Sequence, residues 1–500
     1  MTLAVLDRGI DWRHPDVRNH DGSTRIEAII DLSAQQNGCA ADRPAPVVRV
    51  RADIDAALDG QVELEHRDAV GHGTASAGVA AGNGSASDGR FRGVAPGVDL
   101  VIVKLSSEGV APGGDGVDDD PGEEPVAGCL DDALDILDLV MEGLDQPAVA
   151  LWNTGTQFGP IDGTSATSRR VAESFGPDRP GRVWVAPAGD EGASLGRASG
   201  ALASRTVIVL FVRPAATRSN PTLWYSGEVA ATVSVTFDDG SVEGVTVGPV
   251  GPGESITADG VTIIHYEPGS EFHPWTSTSG DRAVWISIDR PPGAGTIEVD
   301  VLEGDEGAAA DARVDVFGDV LGTAAGATSI EFVDGAPGGV SDTASTPGAV
   351  VATAHAVRTS WTDRTGRLVD QSPAVALGGR WPGASVDPTR DGRAVIAVSA
   401  PAHHAFAPLA AGSAFSRIDD IVPLEGDGSY VVFTGTSAAA AMVAGAIALA
   451  LEIDPTLTAI EVDELLRATA VADEHTGEVP NPEWGHGKLD ITALVAAASP

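Results

Sequence analysis

Asp7, His72 and Ser437 stand apart from the other acids, histidines and serines of this chain by their local settings. A serine hydroxyl becomes a nucleophile when a base takes its proton, an acid orients that base, and donors receive the charge that builds on the attacked oxygen. Asp7 closes the apolar run Leu3–Leu6 in LAVLDRGIDWRHPD. A carboxylate at the carboxyl end of a parallel strand lies where α/β active sites form. His72 stands between glycines in GHGTASAGVAAG, at the start of a small-residue helical pattern. Ser437 opens the apolar helix pattern of FTGTSAAAAMVAGAIALAL, and the field at a helix N-terminus favours a developing anion. Taken singly, these are a turn former, a turn histidine and an N-cap. Their combination supplies an acid, a base and a nucleophile.

In the order Asp, His, Ser, these segments resemble the subtilisin-like serine proteases, the subtilases. The family's D-x-G-I-D-x-x-H-P reads here as Asp7-Arg8-Gly9-Ile10-Asp11-Trp12-Arg13-His14-Pro15, its G-H-G-T as Gly71 to Thr74, and its G-T-S-x-A as Gly435 to Ala439. Gly93-Val94-Ala95-Pro96, Pro388 to Arg393 and Trp484 to Asp490 resemble further family segments. The resemblance implies a serine endopeptidase acting on proteins or peptides through an acyl-enzyme, with Asp7, His72 and Ser437 as its triad. It implies that substrate lies between Asn153, Thr154 and Gly155 on one side and Ala186, Pro187, Ala188 and Gly189 on the other. The small residues Gly155, Ala186 and Gly189 suggest an open pocket with a broad or apolar preference. No cofactor is expected for the chemistry; structural calcium is common in the family, at no site assignable here. Family members are extracellular or belong to the cell envelope, and that placement is expected.

Three departures stand out. The family's Pro and His after the serine are Ala441 and Met442, expected on the interior side of the helix. Only six residues precede Asp7, which suggests a truncated gene model, a fragment or a degenerate start; no basic segment followed by a long apolar run opens the chain. The third departure is Asp190, in Pro187-Ala188-Gly189-Asp190-Glu191-Gly192, where the family has an Asn whose amide donates to the oxyanion. An ionised Asp accepts hydrogen bonds and donates none. The alternative reading that follows is a pseudoprotease that binds or scaffolds through an inserted domain.

The elements that position these residues are α/β in type. Leu3–Leu6, Val98–Leu105, Ala148–Trp152 and Val183–Ala186 are short apolar strand runs, and Asp131–Leu144 has helical spacing. Such alternation predicts a subtilisin-like parallel sheet with helices on both faces, formed by residues 1–200 and 340–500. Residues 205–320 read instead as an inserted all-β, jelly-roll-like sandwich, with runs such as TVIVLFV and AVWISI and turn signals such as Asp238-Asp239-Gly240. STRIEAIID, ADIDAALDG and GPIDGTS resemble a bacterial subtilase branch with such an insert, which includes spore-germination proteases. Helices are predicted for Ser437–Leu451 and Ala459–Thr469.

Composition narrows the partners. With 72 acidic and 31 basic residues, the net charge of −41 argues against nucleic acid. It fits either salt adaptation or a GC-rich genome. The Ala-rich run Ala438–Leu451 is too short to span a bilayer and reads as a buried helix. Residues 106–127 form a Gly-, Pro- and acid-rich loop whose Asp118, Asp119 and Asp120 read as a solvated cluster, with calcium as the alternative. Cys39 and Cys129 belong to no C-x-x-C motif; a disulfide between them and two free thiols are equally compatible with the sequence. Oligomeric state is not legible.

Overall fold

The computed structural model describes residues 1–35, 39, 42–105, 129–213, 218–237, 245–247, 255–258, 260–272, 275–289, 293–302, 305–309, 312–318, 329–372 and 374–499. The acidic loop with Asp118–Asp120 and the turn at Asp238–Gly240 lie outside the described residues.

Eight strands form the main sheet: β1 (Thr2–Asp7), β2 (Ile26–Asp31), β3 (Val47–Val50), β4 (Asp99–Lys104), β5 (Ala148–Trp152), β6 (Arg182–Pro187), β7 (Ala349–Ala356) and β8 (Ile396–His403). Their order is β8-β7-β6-β5-β1-β4-β2-β3, parallel throughout except for the β2–β3 pair. Side chains alternate between faces along a strand, and β1 divides accordingly. Leu3 and Val5 join one core, and Ala4 and Leu6 another. The first core is covered by two helices, His72–Ala81 (α1) and, far along the chain, Thr436–Ile453, together with Ala459–Thr469. The second is covered by α2 (Leu130–Leu144) and α3 (Ala166–Phe175). We label Thr436–Ile453 α4. It is long and apolar enough to cross a membrane, but 78% of that stretch is buried in the protein core. Ala441 is fully buried, as expected, whereas Met442 is only half-buried at the edge of that core.

Two antiparallel sheets interrupt the chain between β6 and β7. One is centred on Gly293–Val301 and Arg205–Val212, and the other runs from Ser255–Ala258 across to Arg197–Ala201. Leu210, Val233, Ile263, Ile286, Ile297 and Val314 fill the space between them. The sheets also take in Arg197–Ala201 and Ile330–Phe332, just outside 205–320. The first of these, RASGA, has no β-branched or aromatic residue and so gives no strand signal of its own.

The seam between sandwich and main sheet is well packed. Trp224, Phe272 and Trp275 of the insert share a core with Phe158 and Ile161. At its rim Arg390 is nearly buried, pairing with Asp162 at 2.7 Å, with Asp281 of the insert, and more distantly with Asp315 at 3.9 Å. Its Nε donates to the Pro160 carbonyl at 2.6 Å. Elsewhere, Cys39 and Cys129 form a disulfide that ties the segment before β3 to the N-cap of α2.

The charge of −41 sets up self-repulsion that salt screens, since the Debye length falls to about 3 Å at 1 M. The melting temperature is expected to rise from low to molar salt. A flat or falling trend in differential scanning fluorimetry would leave codon bias as the account of the acidity.

Candidate active site

Asp7 is the last residue of β1 and is completely buried. His72 is the first residue of α1. Its Nδ1 lies 2.8 and 2.9 Å from the two Asp7 carboxylate oxygens. The flanking glycines make that approach feasible. Gly71 has φ +100°, and a Cβ at Gly73 would come within 2.1 Å of the Gly9 carbonyl oxygen. Asp68, fully buried, holds the same turn by accepting from the N–H groups of Gly71 and Thr74 at 2.7 and 2.8 Å. Burial of the His72 ring opposes its protonation, but the charge and hydrogen bond of Asp7 outweigh this and hold its pKa above the ordinary 6.5. Phe433 packs edge-on against the ring, 5.1 Å between centroids.

Ser437 is the second residue of α4, 9% exposed. A short network links it to Asp7. Asn153 donates its side-chain amide to the Ser437 carbonyl at 3.1 Å and to Ser76 Oγ at 2.6 Å, and Ser76 Oγ lies 2.9 Å from Asp7 Oδ2. Ser76 follows His72 by one helical turn, the one signal by which sequence spacing points to it. Asp11 and His14 act as fasteners: Asp11 accepts from the Ala411 N–H at 3.0 Å, and the His14 ring meets the Ser429 carbonyl at 3.0 Å.

Asp190 follows β6 and reaches the residue before Ser437. Its Oδ1 accepts from the Thr436 N–H at 2.9 Å and from the Thr436 hydroxyl at 2.7 Å. Gly435 has φ +119°, and a Cβ there would lie 2.7 Å from Asp190 Oδ2. Burial raises the Asp190 pKa, partly offset by the Thr436 hydrogen bonds. Glu191 beside it is also buried and is pushed up to about 7, first by burial and then by the charge of Asp190. Ser385 donates to its Oε2 at 2.8 Å.

The two expected substrate walls extend from neighbouring parallel strands, Asn153–Gly155 after β5 and Ala186–Gly189 at the end of β6. The backbone of the second wall is engaged within the fold. Ala188 donates to Ala352 at 2.9 Å and accepts from Ser341 at 2.8 Å, while Gly189 donates to Thr436 Oγ1 at 3.1 Å and accepts from Ser385 at 2.8 Å. Ser341 packs against Gly155. Asp68, Ser76, Ser341 and Ser385 pack around the candidate residues without having been singled out by the motifs. Among the described residues, one group has metal-ligand spacing, Cys39, Cys129 and Asp131, and its two sulfurs are joined in the disulfide.

The model of the subtilase family of peptidases matches residues 1–120 and 305–487. The chain belongs to the subtilase family. Among solved structures, this subtilase is similar to the Clostridium perfringens CspB protease at 19% identity, with a TM-score of 0.69 over 100% of this chain and 93% of that one. At that identity the likeness establishes the shared fold, a parallel sheet with additional antiparallel sheets. Fervidolysin from Fervidobacterium pennivorans matches at 14% identity and a TM-score of 0.42, over 99% of this subtilase and 42% of that chain. By family and fold, this subtilase is a serine protease with protein substrates.

Proposed function

We propose that the chain is a serine endopeptidase in which Asp7 orients His72, His72 removes the Ser437 proton, and Ser437 attacks the peptide carbonyl. The single observation that carries this reading is the Asp7–His72 hydrogen bond, joined to the start of the Ser437 helix through Ser76 and Asn153. The tetrahedral intermediate expels the amine as His72 returns the proton, and water then releases the acyl group by the same relay. The Ser437 N–H, at the N-terminus of α4, and a protonated Asp190 are the candidate oxyanion donors. These steps use side chains and backbone alone. The disulfide and the family resemblance support an extracellular or cell-envelope setting.

One observation favours the pseudoprotease alternative, namely that Asp190 serves as an acceptor for Thr436. A fluorophosphonate probe separates the readings. Covalent labelling mapped to Ser437 by mass spectrometry is expected; natively folded protein that takes no label would sink the endopeptidase reading.

A further inference from the structure

We propose that His66 and Asp31 form a second Asp–His pair, a positioning pair that holds Asp7 against His72 by clamping the turn that follows Asp7. Its effect on rate rests on the endopeptidase reading; one readout below needs no catalysis.

Three charged residues end three adjacent strands: Asp7 on β1, Lys104 on β4 and Asp31 on β2. Lys104 is the register partner of Asp7 on one side and of Asp31 on the other. All three are buried, and so is His66, from the segment before α1. The His66 Nδ1 lies 2.5 Å from Asp31 Oδ2. Its other ring nitrogen, Nε2, accepts from the Ile10 N–H at 3.2 Å. Nε2 therefore carries no proton, and Nδ1 carries the one that Asp31 accepts. Burial opposes ionisation of Asp31, but His66, then Lys104 and Ser33, outweigh it and hold its pKa down to about 2. The carboxylate thus stays an acceptor and fixes the ring in one tautomer. His72 also turns Nδ1 to a carboxylate; His66 differs in spending its second nitrogen on the backbone.

The N–H it holds belongs to the third residue after Asp7. Ile10 is fully buried, so this donor needs a partner within the protein. The turn before it has no slack. Gly9 has φ +117°, and a Cβ there would come 2.6 Å from the Arg67 carbonyl oxygen and 3.3 Å from the Lys104 side chain. Lys104 Nζ donates to that same carbonyl at 2.9 Å, and the Trp12 indole donates to the His66 carbonyl at 3.1 Å. On the opposite side, the Asp11 N–H donates to the Thr74 hydroxyl at 2.8 Å. Residues 8–12 are thus wedged between 66–67 and the first turn of α1, the helix that carries His72. Without His66 the Ile10 N–H is buried and unpaired, a costly state that the turn relieves by moving, and Asp7 moves with it.

The test uses the full chain, with kcat referred to active protein counted by fluorophosphonate titration. His66→Ala is expected to lower kcat by about 10–100-fold, with KM within about two-fold of wild type. His66→Gln should restore most of the rate, because its amide oxygen can accept from Ile10 while its NH₂ meets Asp31. Asp31→Asn reaches the same contact from the far end. Asp31 Oδ1 accepts from the Ser33 N–H at 2.9 Å, so an asparagine keeps its oxygen there and turns its amide to His66. The ring proton then moves to Nε2 and faces the Ile10 N–H, donor against donor. The double variant should lose little more than either single one, since both break one contact. A kcat for His66→Ala within about two-fold of wild type would overturn the proposal. The second readout is ¹⁵N-histidine NMR. The His72 titration midpoint, held above 6.5 by Asp7, should fall towards the ordinary value in His66→Ala, which removes no charge, and recover in His66→Gln. An unmoved midpoint in folded His66→Ala overturns the proposal even in a protein that takes no fluorophosphonate label, whereas absence of label alone bears on the endopeptidase reading. Where His66→Ala does not fold, the nearly isosteric Asp31→Asn carries both readouts.

Discussion

Ser437→Ala is expected to lower kcat on casein or a peptide ester by about 10⁴–10⁶-fold with an unchanged circular dichroism spectrum. His72→Ala should cost about as much, and the double variant should lose little more, because a nucleophile without its base and a base without its nucleophile are equally idle. Asp7→Asn should cost about 10⁴-fold. An amide at that position cannot accept at both of the positions now facing His72 Nδ1, nor stabilise the imidazolium as it forms. The acid limb of the pH–rate profile follows from the same pair. His72 works as a base only when neutral, and Asp7 holds its pKa above 6.5. Activity should therefore be lost as pH falls through a value above the ordinary histidine range. Near wild-type hydrolysis by Ser437→Ala would refute the assignment.

The second large effect is a gain. Asp190→Asn should raise turnover at pH 8 by about 10–100-fold, the worth of a recovered oxyanion donor. The substitution is nearly isosteric. An asparagine Oδ1 can keep both bonds from Thr436 while its amide takes the place of Oδ2, converting an acceptor into a donor. In the wild type the donor form is the protonated acid. Burial raises the Asp190 pKa, so that form persists above the ordinary carboxylate range and is lost as pH rises through the raised value. Glu191 ionises near pH 7 and adds a second negative charge beside it. His72 acts only when neutral, above its raised pKa, and Asp190 donates only when protonated, below its own raised pKa, so wild type should show a bell bounded on both sides. The Asn variant should lose the alkaline descent. If it is no faster than wild type at pH 8 on the same peptide, another group serves the oxyanion.

The parallel sheet and the candidate acid, base and nucleophile were legible because each sits at an element boundary with a local signature. An apolar run ends at Asp7, glycines bracket His72, and an apolar helix begins at Ser437. The strand Ala148–Trp152 and the helix Ala459–Thr469 have the bounds that their apolar patterns suggest. What the sequence left obscure depends on contacts between distant segments. Ser341 comes to lie beside Gly155 only after the whole sandwich has intervened, a contact that no local pattern announces. The sequence could not pair Cys39 with Cys129, because their Cα atoms come to 4.5 Å only once α2 has packed on the sheet. RASGA becomes a strand because Arg313–Phe317 offers it an edge, not because of its own residues.

The Arg390 node has a mechanical consequence. Its guanidinium takes Asp162 from the peptidase body and Asp281 from the sandwich in nearly dry surroundings. Swinging the sandwich outward would part these charges while leaving them largely buried, and breaking such a pair costs about 3–5 kcal/mol. Outward motion of the sandwich is therefore opposed at this joint, where one guanidinium is shared by carboxylates from both sides of the seam.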